Sequence, residues 1–325
     1  MTLRIGILGA ARVAAYAMIG AAREVDGVTV QAVAARDPDR ASAYAAEHGI
    51  ACVYSGYQTL IDADDVDAVY VALPPSLHAR WSIAALAAGK PVLCEKPFAL
   101  TAADAAAMVA AEAAHGGLLM EAQHSHYHPL SAHMRDLVGS GSLGTITHVD
   151  AIFCAPVPDV PGEIRYDRRI GGGALWDLGV YPVHWARSAL GEELHAVQAS
   201  QRWVGGVPTH GADVETTARL TAPAGGVITI RCAMDQPLAA RIRFTGTRGW
   251  LDIRNPLAPH MGHGCHWEID GTPHERQFAA PSTYVGQLAA FRDAVLLGTP
   301  VPTRGADSVA AIRLLTAIDT LAREV

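Results

Sequence analysis

Over the first ~120 residues, strand-like and helix-like runs alternate, and this constrains the fold more than any other feature of the sequence. Apolar runs of strand character fall at residues 4–8, 28–34, 68–73, 91–94 and 118–121, with helical candidates between them at 13–25, 39–48, 77–88 and 102–115. Strands joined through helices need right-handed crossovers, which give a parallel sheet covered on both faces. Beyond residue 123 the pattern changes. A helix at 129–138 precedes strands at 145–154, 196–203, 214–221, 227–234 and 242–244, and helices at 284–297 and 306–323 follow. Strands that succeed one another without intervening helices predict a largely antiparallel open sheet. The expected architecture is α/β, with a parallel N-terminal domain over residues 1–122 and a C-terminal α+β domain over 123–325.

With 50% hydrophobic and 18% charged residues, the chain is that of a soluble globular protein with ample core. A formal net charge of −7 offers no basic stripe for a phosphate backbone, and apolar runs are interrupted well short of the ~20 residues that a membrane span needs. Neither nucleic acid nor membrane is an expected partner. Cysteines at 52, 94, 154, 232 and 265 show no paired metal spacing and fit free thiols in a reducing compartment, and residues 1–8 are too short for a secretory apolar region. The expected location is the cytoplasm.

The first strand ends in Gly9-Ala10-Ala11-Arg12-Val13-Ala14. A glycine turn between strand and helix, followed by small residues, lets backbone approach a pyrophosphate at a helix N-terminus. The second strand ends in Ala35-Arg36-Asp37-Pro38, so alanine stands where an acid would hold a ribose 2′-hydroxyl, and arginine follows. A guanidinium there pairs with a 2′-phosphate, which predicts NADP in preference to NAD. After the strand at 91–94 come Glu95-Lys96-Pro97. Ligands of open parallel sheets bind beyond the carboxyl ends of strands, so Lys96 is expected in the cofactor crevice. Farther on, Gly171-Gly172-Gly173 opens a segment that is mostly apolar except for Asp177, Tyr181 and His184. In a helix starting near Ala174, these three fall at i, i+4 and i+7 and share a face. Polar groups amid apolar flanks must be paired or line a wet cavity, so this stripe reads as an active-site wall; Pro182 makes a kink possible.

These motifs, in this order, resemble the Gfo/Idh/MocA family, the glucose-fructose oxidoreductase and inositol dehydrogenase group. The likeness extends to Tyr284-Val285-Gly286-Gln287-Leu288 and Thr303-Arg304-Gly305-Ala306-Asp307. The resemblance implies an N-terminal Rossmann domain and a C-terminal domain whose open sheet makes a homodimer or homotetramer. The implied reaction is oxidation or reduction of a sugar, cyclitol or vicinal diol. It also implies that Leu73, Pro74, His78, Glu95 and Tyr284 join Gly9, Ala10, Ala11, Arg12, Val13, Arg36 and Lys96 around the cofactor. Catalytic roles carry over to Lys96, Asp177 and Tyr181, the last being histidine in the inositol dehydrogenase branch. The segment from Glu121 to Pro129 departs from the family's usual aromatic and arginine residues, which leaves the substrate open.

The mechanism so implied is hydride transfer at nicotinamide C4, with Tyr181 exchanging the hydroxyl proton. A free phenol titrates near ~10, and a neighbouring ammonium, here assigned to Lys96, lowers it. Asp177 orients the substrate hydroxyl or keeps Lys96 charged, and His184 contacts a second hydroxyl. The alternative is a cofactor- or sugar-sensing regulator that kept the fold and lost the chemistry. His124, His126 and His128 alternate as residues on one strand face would, yet no metal is expected, because His128 precedes Pro129 at a helix start and the chemistry needs none.

Overall fold

The computed structural model describes residues 2–206 and 211–324. They form two compact units: residues 2–123 with 284–309, and residues 124–283 with 310–324. The division therefore returns 284–309, expected with the second domain, to the first. Local contacts explain this. Thr303 takes the Glu121 N–H on its carbonyl and donates its hydroxyl to the Glu121 carbonyl, both at 2.8 Å, and Arg304 pairs with Glu112 at 2.8 Å.

In the first unit, β1 (Leu3–Leu8), β2 (Val28–Ala34), β3 (Cys52–Tyr54), β4 (Ala68–Val71), β5 (Val92–Cys94) and β6 (Leu119–Glu121) form one parallel sheet in the order β3-β2-β1-β4-β5-β6. This is the dinucleotide-binding order, with its reversal between β1 and β4. β1, β4 and β5 are almost entirely buried, as strands covered on both faces must be. The helices start and stop where their end residues dictate. α2 (Pro38–His48) has Pro38 at its first turn, Asp37 accepting the Asp39 and Arg40 N–H groups, and Gly49 closing it; α5 (Ala102–His115) is capped by Thr101 and closed by Gly116. α1 (Arg12–Ala14) differs, passing into a π-helical stretch (Ala15–Gly20) with no capping side chain at its start. The sequence reading lacked β3 and α3 (Tyr57–Ile61), both too short to show a period.

In the second unit, α6 (Pro129–Gly139) and α7 (Val180–Leu190) accompany an eight-stranded sheet ordered β14-β13-β12-β11-β7-β10-β9-β8. Its strands are β7 (Ile146–Cys154), β8 (His195–Trp203), β9 (Asp213–Thr221), β10 (Val227–Ala233), β11 (Ala239–Gly246), β12 (Gly249–Arg254), β13 (Gly264–Ile269) and β14 (Thr272–Glu275). All pairings are antiparallel except β7 with β10. Alternate residues, among them Val149, Ala151, Phe153, Ile228, Ile230, Ile242 and Phe244, are buried on the face that α7 covers. The opposite face carries ion pairs, Arg241–Asp252 and Arg202–Glu215–Arg231. A parallel Rossmann-type sheet and a mostly antiparallel open sheet make the chain the two-part α/β protein expected. No described helix is long and apolar enough to cross a membrane.

Candidate functional site

The first unit places the cofactor candidates at the carboxyl ends of β1, β2, β4 and β5. Gly9 has φ +105°, and a Cβ there would lie 2.5 Å from the Ala72 carbonyl oxygen, so β1 ends against the turn after β4 at a distance only glycine allows. Ala10 is buried against Ala35 and Ala41, with Tyr44 packed on them. From α2, Arg40 donates to the Ala10 carbonyl at 2.8 Å and the Tyr44 hydroxyl to the Ala11 carbonyl at 3.0 Å. The carbonyls of the glycine turn are thus held from one side, while Ala11 at the N-cap offers the first amides of α1 no side-chain acceptor. A cavity of about 380 Å³ lies here, lined by Ala10, Arg12, Arg40, Tyr44 and His48 among others. An uncapped helix start beside two guanidinium groups suits an anionic dinucleotide.

Arg36 is exposed just beyond β2, and its backbone N–H reaches the Tyr57 hydroxyl. Burial raises the Tyr57 phenol above its ordinary value, and the charges of Arg36 and Arg40 oppose that rise. Arg40 is a residue the sequence reading missed; Val13, by contrast, is half-buried in α1 as a helix residue behind the turn.

Leu73 is buried and Pro74 half-buried. His78 is fully buried, its Nδ1 2.9 Å from the Pro97 carbonyl and its Nε2 2.8 Å from the Leu73 carbonyl. Facing both carbonyls and donating its one N–H to one of them, the His78 ring joins the turn after β4 to the turn after β5. Glu95 is buried and accepts the Tyr70 hydroxyl, whose phenol burial pushes well up. Tyr284 meets Tyr16 edge-on at 5.3 Å, and both act electrostatically on Tyr70. Lys96 follows β5 and is half-buried between Glu95 and Pro97.

The second unit carries Asp177, Tyr181 and His184 as expected on one helical segment, but with a different twist. Leu175–Gly179 is π-helical and passes into α7 at Val180. The wider π turn stands directly before Pro182, whose missing N–H it accommodates, so the face predicted from an undisturbed α-helix is shifted at Asp177. Asp177 is half-buried in a run of buried residues. Tyr181 is 7% exposed, edge-on to Phe153 at 5.4 Å and to His124 at 5.8 Å. His184 is buried, its Nε2 3.1 Å from His126 Nδ1.

The segment's start is built by Gly173 and Asp213. Gly173 has φ +124°, and a Cβ there would lie 2.2 Å from Asp213 Oδ1. Asp213 Oδ2 accepts the Leu175 N–H at 2.8 Å and the Thr216 hydroxyl at 2.7 Å. Burial pushes Asp213 up to about 6, against these hydrogen bonds. A cavity of about 700 Å³ lies along residues 160–170, where Arg165, which feels the charge of Asp177, is bonded to Glu163.

The three histidines do not share a strand face, because His124–Tyr127 is a 3-10 turn and His128 caps α6. His124 Nδ1 meets the Thr283 hydroxyl at 2.8 Å, and His128 Nδ1 accepts the Leu130 N–H at 3.1 Å. Among the described residues, no group of three or more His, Cys, Asp or Glu side chains is placed to hold a metal ion.

Comparison with known proteins gives matching family models for both parts of the chain. Residues 3–123 match the oxidoreductase family with NAD-binding Rossmann fold, and residues 131–252 match the GFO/IDH/MocA C-terminal domain. The NADP-dependent D-xylose 1-dehydrogenase of Haloferax volcanii is 32% identical over 321 residues, covering 97% of this chain and 96% of that protein. The aldose-aldose oxidoreductase of Caulobacter crescentus, solved with glycerol, superposes with a TM-score of 0.90 at 30% identity, covering 100% and 98% of the two chains. A 3-ketoreductase of Actinomadura kijaniata, solved with NADP and TDP-benzene, does so with a TM-score of 0.89 at 32% identity, covering 98% of each.

Proposed function

Because the chain belongs to the Gfo/Idh/MocA oxidoreductase family, we propose that it transfers a hydride between NADP and a carbinol or carbonyl carbon of a sugar, cyclitol or vicinal diol. The observation that carries this reading is the buried segment from Leu175 to Leu190, which keeps Asp177 and Tyr181, with His184 and Arg187, among side chains that are mostly apolar and buried. A phenol and a carboxylate retained there serve chemistry at a hydroxyl.

When bound along the glycine turn and α1, NADP would supply the hydride to a carbonyl carbon or take it from a carbinol. Gly9, Ala10, Ala11, Arg12 and Val13 would hold its pyrophosphate, and Arg36, helped by Arg40, would hold the 2′-phosphate. Leu73, Pro74 and Tyr284 border it, while His78 and Glu95 hold the turns that carry them. Tyr181 moves the proton at the reacting hydroxyl through its Oη. Lys96 supplies the ammonium that makes a phenol usable as a base near neutral pH. Asp177 orients the substrate and His184 contacts a second hydroxyl. The protein acts in the cytoplasm, where its five unbridged cysteines remain thiols. It assembles as a homodimer or homotetramer through the ion-paired face of the second sheet, which light scattering tests.

The deciding experiment is turnover of NADP(H) and NAD(H) with aldoses, cyclitols, vicinal diols and a nucleotide-linked keto sugar. Lys96→Met and Tyr181→Phe are expected to lower kcat by roughly 10² to 10⁴ with cofactor affinity nearly intact, and the double variant to be little worse than the poorer single one. Cofactor binding with no turnover of any substrate would favour the sensor reading instead.

A further inference from the structure

His126 and His184 come from segments 58 residues apart, and their facing nitrogens stand 3.1 Å apart with the rings inclined by 57°. The groups around them are basic or neutral. Arg187 on the same helix, Arg135 from α6 and His124 from the turn act on His184, and Arg135 and His184 act on His126. Arg135 also donates to the His126 carbonyl at 3.2 Å, which fixes the backbone of the turn. The turn is anchored further by the Trp185 N–H on Ser125 Oγ at 3.2 Å and by the Ser131 hydroxyl on the Ser125 carbonyl at 2.6 Å. Burial is the first cause that holds both imidazoles neutral, pushing His126 down to about 2 and His184 to about 3.

Two neutral imidazoles that face each other must share one proton, because two donors or two acceptors on that line would leave a buried polar group unsatisfied. In a neutral imidazole one nitrogen donates and the other accepts. Whichever role His184 Nε2 takes toward His126, its Nδ1 is left with the complementary one. We propose that His126 is a positioning residue that fixes the ring and tautomer of His184, and through it selects the hydroxyl pattern of the substrate. This rests on the reading of His184 as a hydroxyl contact.

The test uses the full chain labelled with ¹⁵N-histidine, and long-range ¹H–¹⁵N correlation of its imidazoles from pH 7 to 5, alongside steady-state kinetics. In the native protein, His126 and His184 are expected to remain neutral, one donating and one accepting on the shared line. His126→Phe, which keeps a ring without the nitrogen, should change the tautomer balance of His184. It should also raise the sugar KM roughly tenfold, with kcat altered less than about threefold and the NADPH KM unchanged. His126→Asn, whose amide lies near the place of Nδ1, should restore most of both. An imidazolium at either position at pH 6, or a His184 spectrum indifferent to His126→Phe, overturns the proposal, as does His126→Asn behaving like His126→Phe. The measurement on the native protein decides even if a variant fails to fold. Absence of turnover with every sugar would sink the functional reading, while the tautomer measurement still judges the pair.

Discussion

Gly173→Ala probes the construction of the substrate-side helix, and its cost follows from two features. At φ +124° an L side chain is strained whatever the space, by about 1–3 kcal/mol. Its methyl would also lie 2.2 Å from Asp213 Oδ1, inside any real contact distance. Asp213 is 1% exposed and cannot retreat into solvent, so relief means disturbing the bond to the Leu175 N–H, the Thr216 bond, or both. Loss of a buried, charge-assisted cap adds about 1.5–3 kcal/mol. The expected total is about 3–5 kcal/mol, a fall in the second unit's melting temperature on the order of ten degrees. Because the Asp177 N–H donates to the Gly173 carbonyl at 2.9 Å, kcat should fall as well. Urea unfolding of Gly173→Ala, Asp213→Ala and the double variant separates the parts. In the Asp213→Ala background only the backbone strain remains, so coupling of at least ~1 kcal/mol is expected. A cost under about 1 kcal/mol, or equal costs in both backgrounds, would refute the argument.

Asp213 also predicts a pH slope. Its folded value, raised from 3.8 to about 6, means that stability present below the unfolded value is lost as pH rises through that window, by up to about 3 kcal/mol. Asp213→Asn should therefore gain on the native protein between pH 4 and 6.5, and parallel urea stabilities across this range would contradict it. The histidine pair acts with the opposite sign: with His126 depressed to about 2 and His184 to about 3, stability is complete above ~6.5 and falls on acidification by about 1.4 kcal/mol per pH unit for each. His126→Phe should make the fall shallower by about 1.4 kcal/mol per pH unit between pH 6 and 4, as urea unfolding at each pH followed by circular dichroism will show. Arg36→Ala should weaken NADPH binding roughly tenfold to a hundredfold while sparing NADH, whereas Arg40→Ala, which also releases the Ala10 carbonyl of the glycine turn, should weaken both and NADPH more; calorimetric titration showing unchanged NADPH affinity would remove that residue from the 2′-phosphate.

The parallel sheet was legible because β1, β2, β4 and β5 are apolar runs separated by helical stretches, of which α2 carries both a capping side chain and a glycine stop. Its first turn was legible because Gly9 closes β1. Elements whose reasons lie in tertiary packing were not. β3 has three residues at a sheet edge, and β14, Thr272–Glu275, is wholly exposed, so neither shows a hydrophobic alternation. The spacing of Asp177, Tyr181 and His184 announced a polar stripe, yet the π turn before Pro182 left no sequence period to read. Asp213 stands 38 residues from the Leu175 amide it caps, and the two histidines of the buried pair are likewise joined only by the fold. Thr303 and Arg304 were recognised as a motif, but only their bonds to Glu121 and Glu112 show why 284–309 returns to the first unit.

The missing acid after β2 takes on a second meaning in the structure. Ala35 is 6% exposed and packs with Ala10 and Ala41, so α2 lies close enough to the glycine turn for Arg40 and Tyr44 to hold the carbonyls of Ala10 and Ala11. A longer, charged side chain at 35 would not keep this alanine contact, and burying it there would carry a desolvation cost that alanine avoids. The small residues that let a pyrophosphate approach and the absence of a ribose-binding acid are therefore one packing solution. The same closeness places two guanidinium groups, Arg12 and Arg40, around the cavity beside α1 and leaves Arg36 outside it in solvent. The proposed preference for a phosphorylated ribose thus rests on a buried alanine where an acid would stand and on nearby guanidinium groups with which a phosphate can pair.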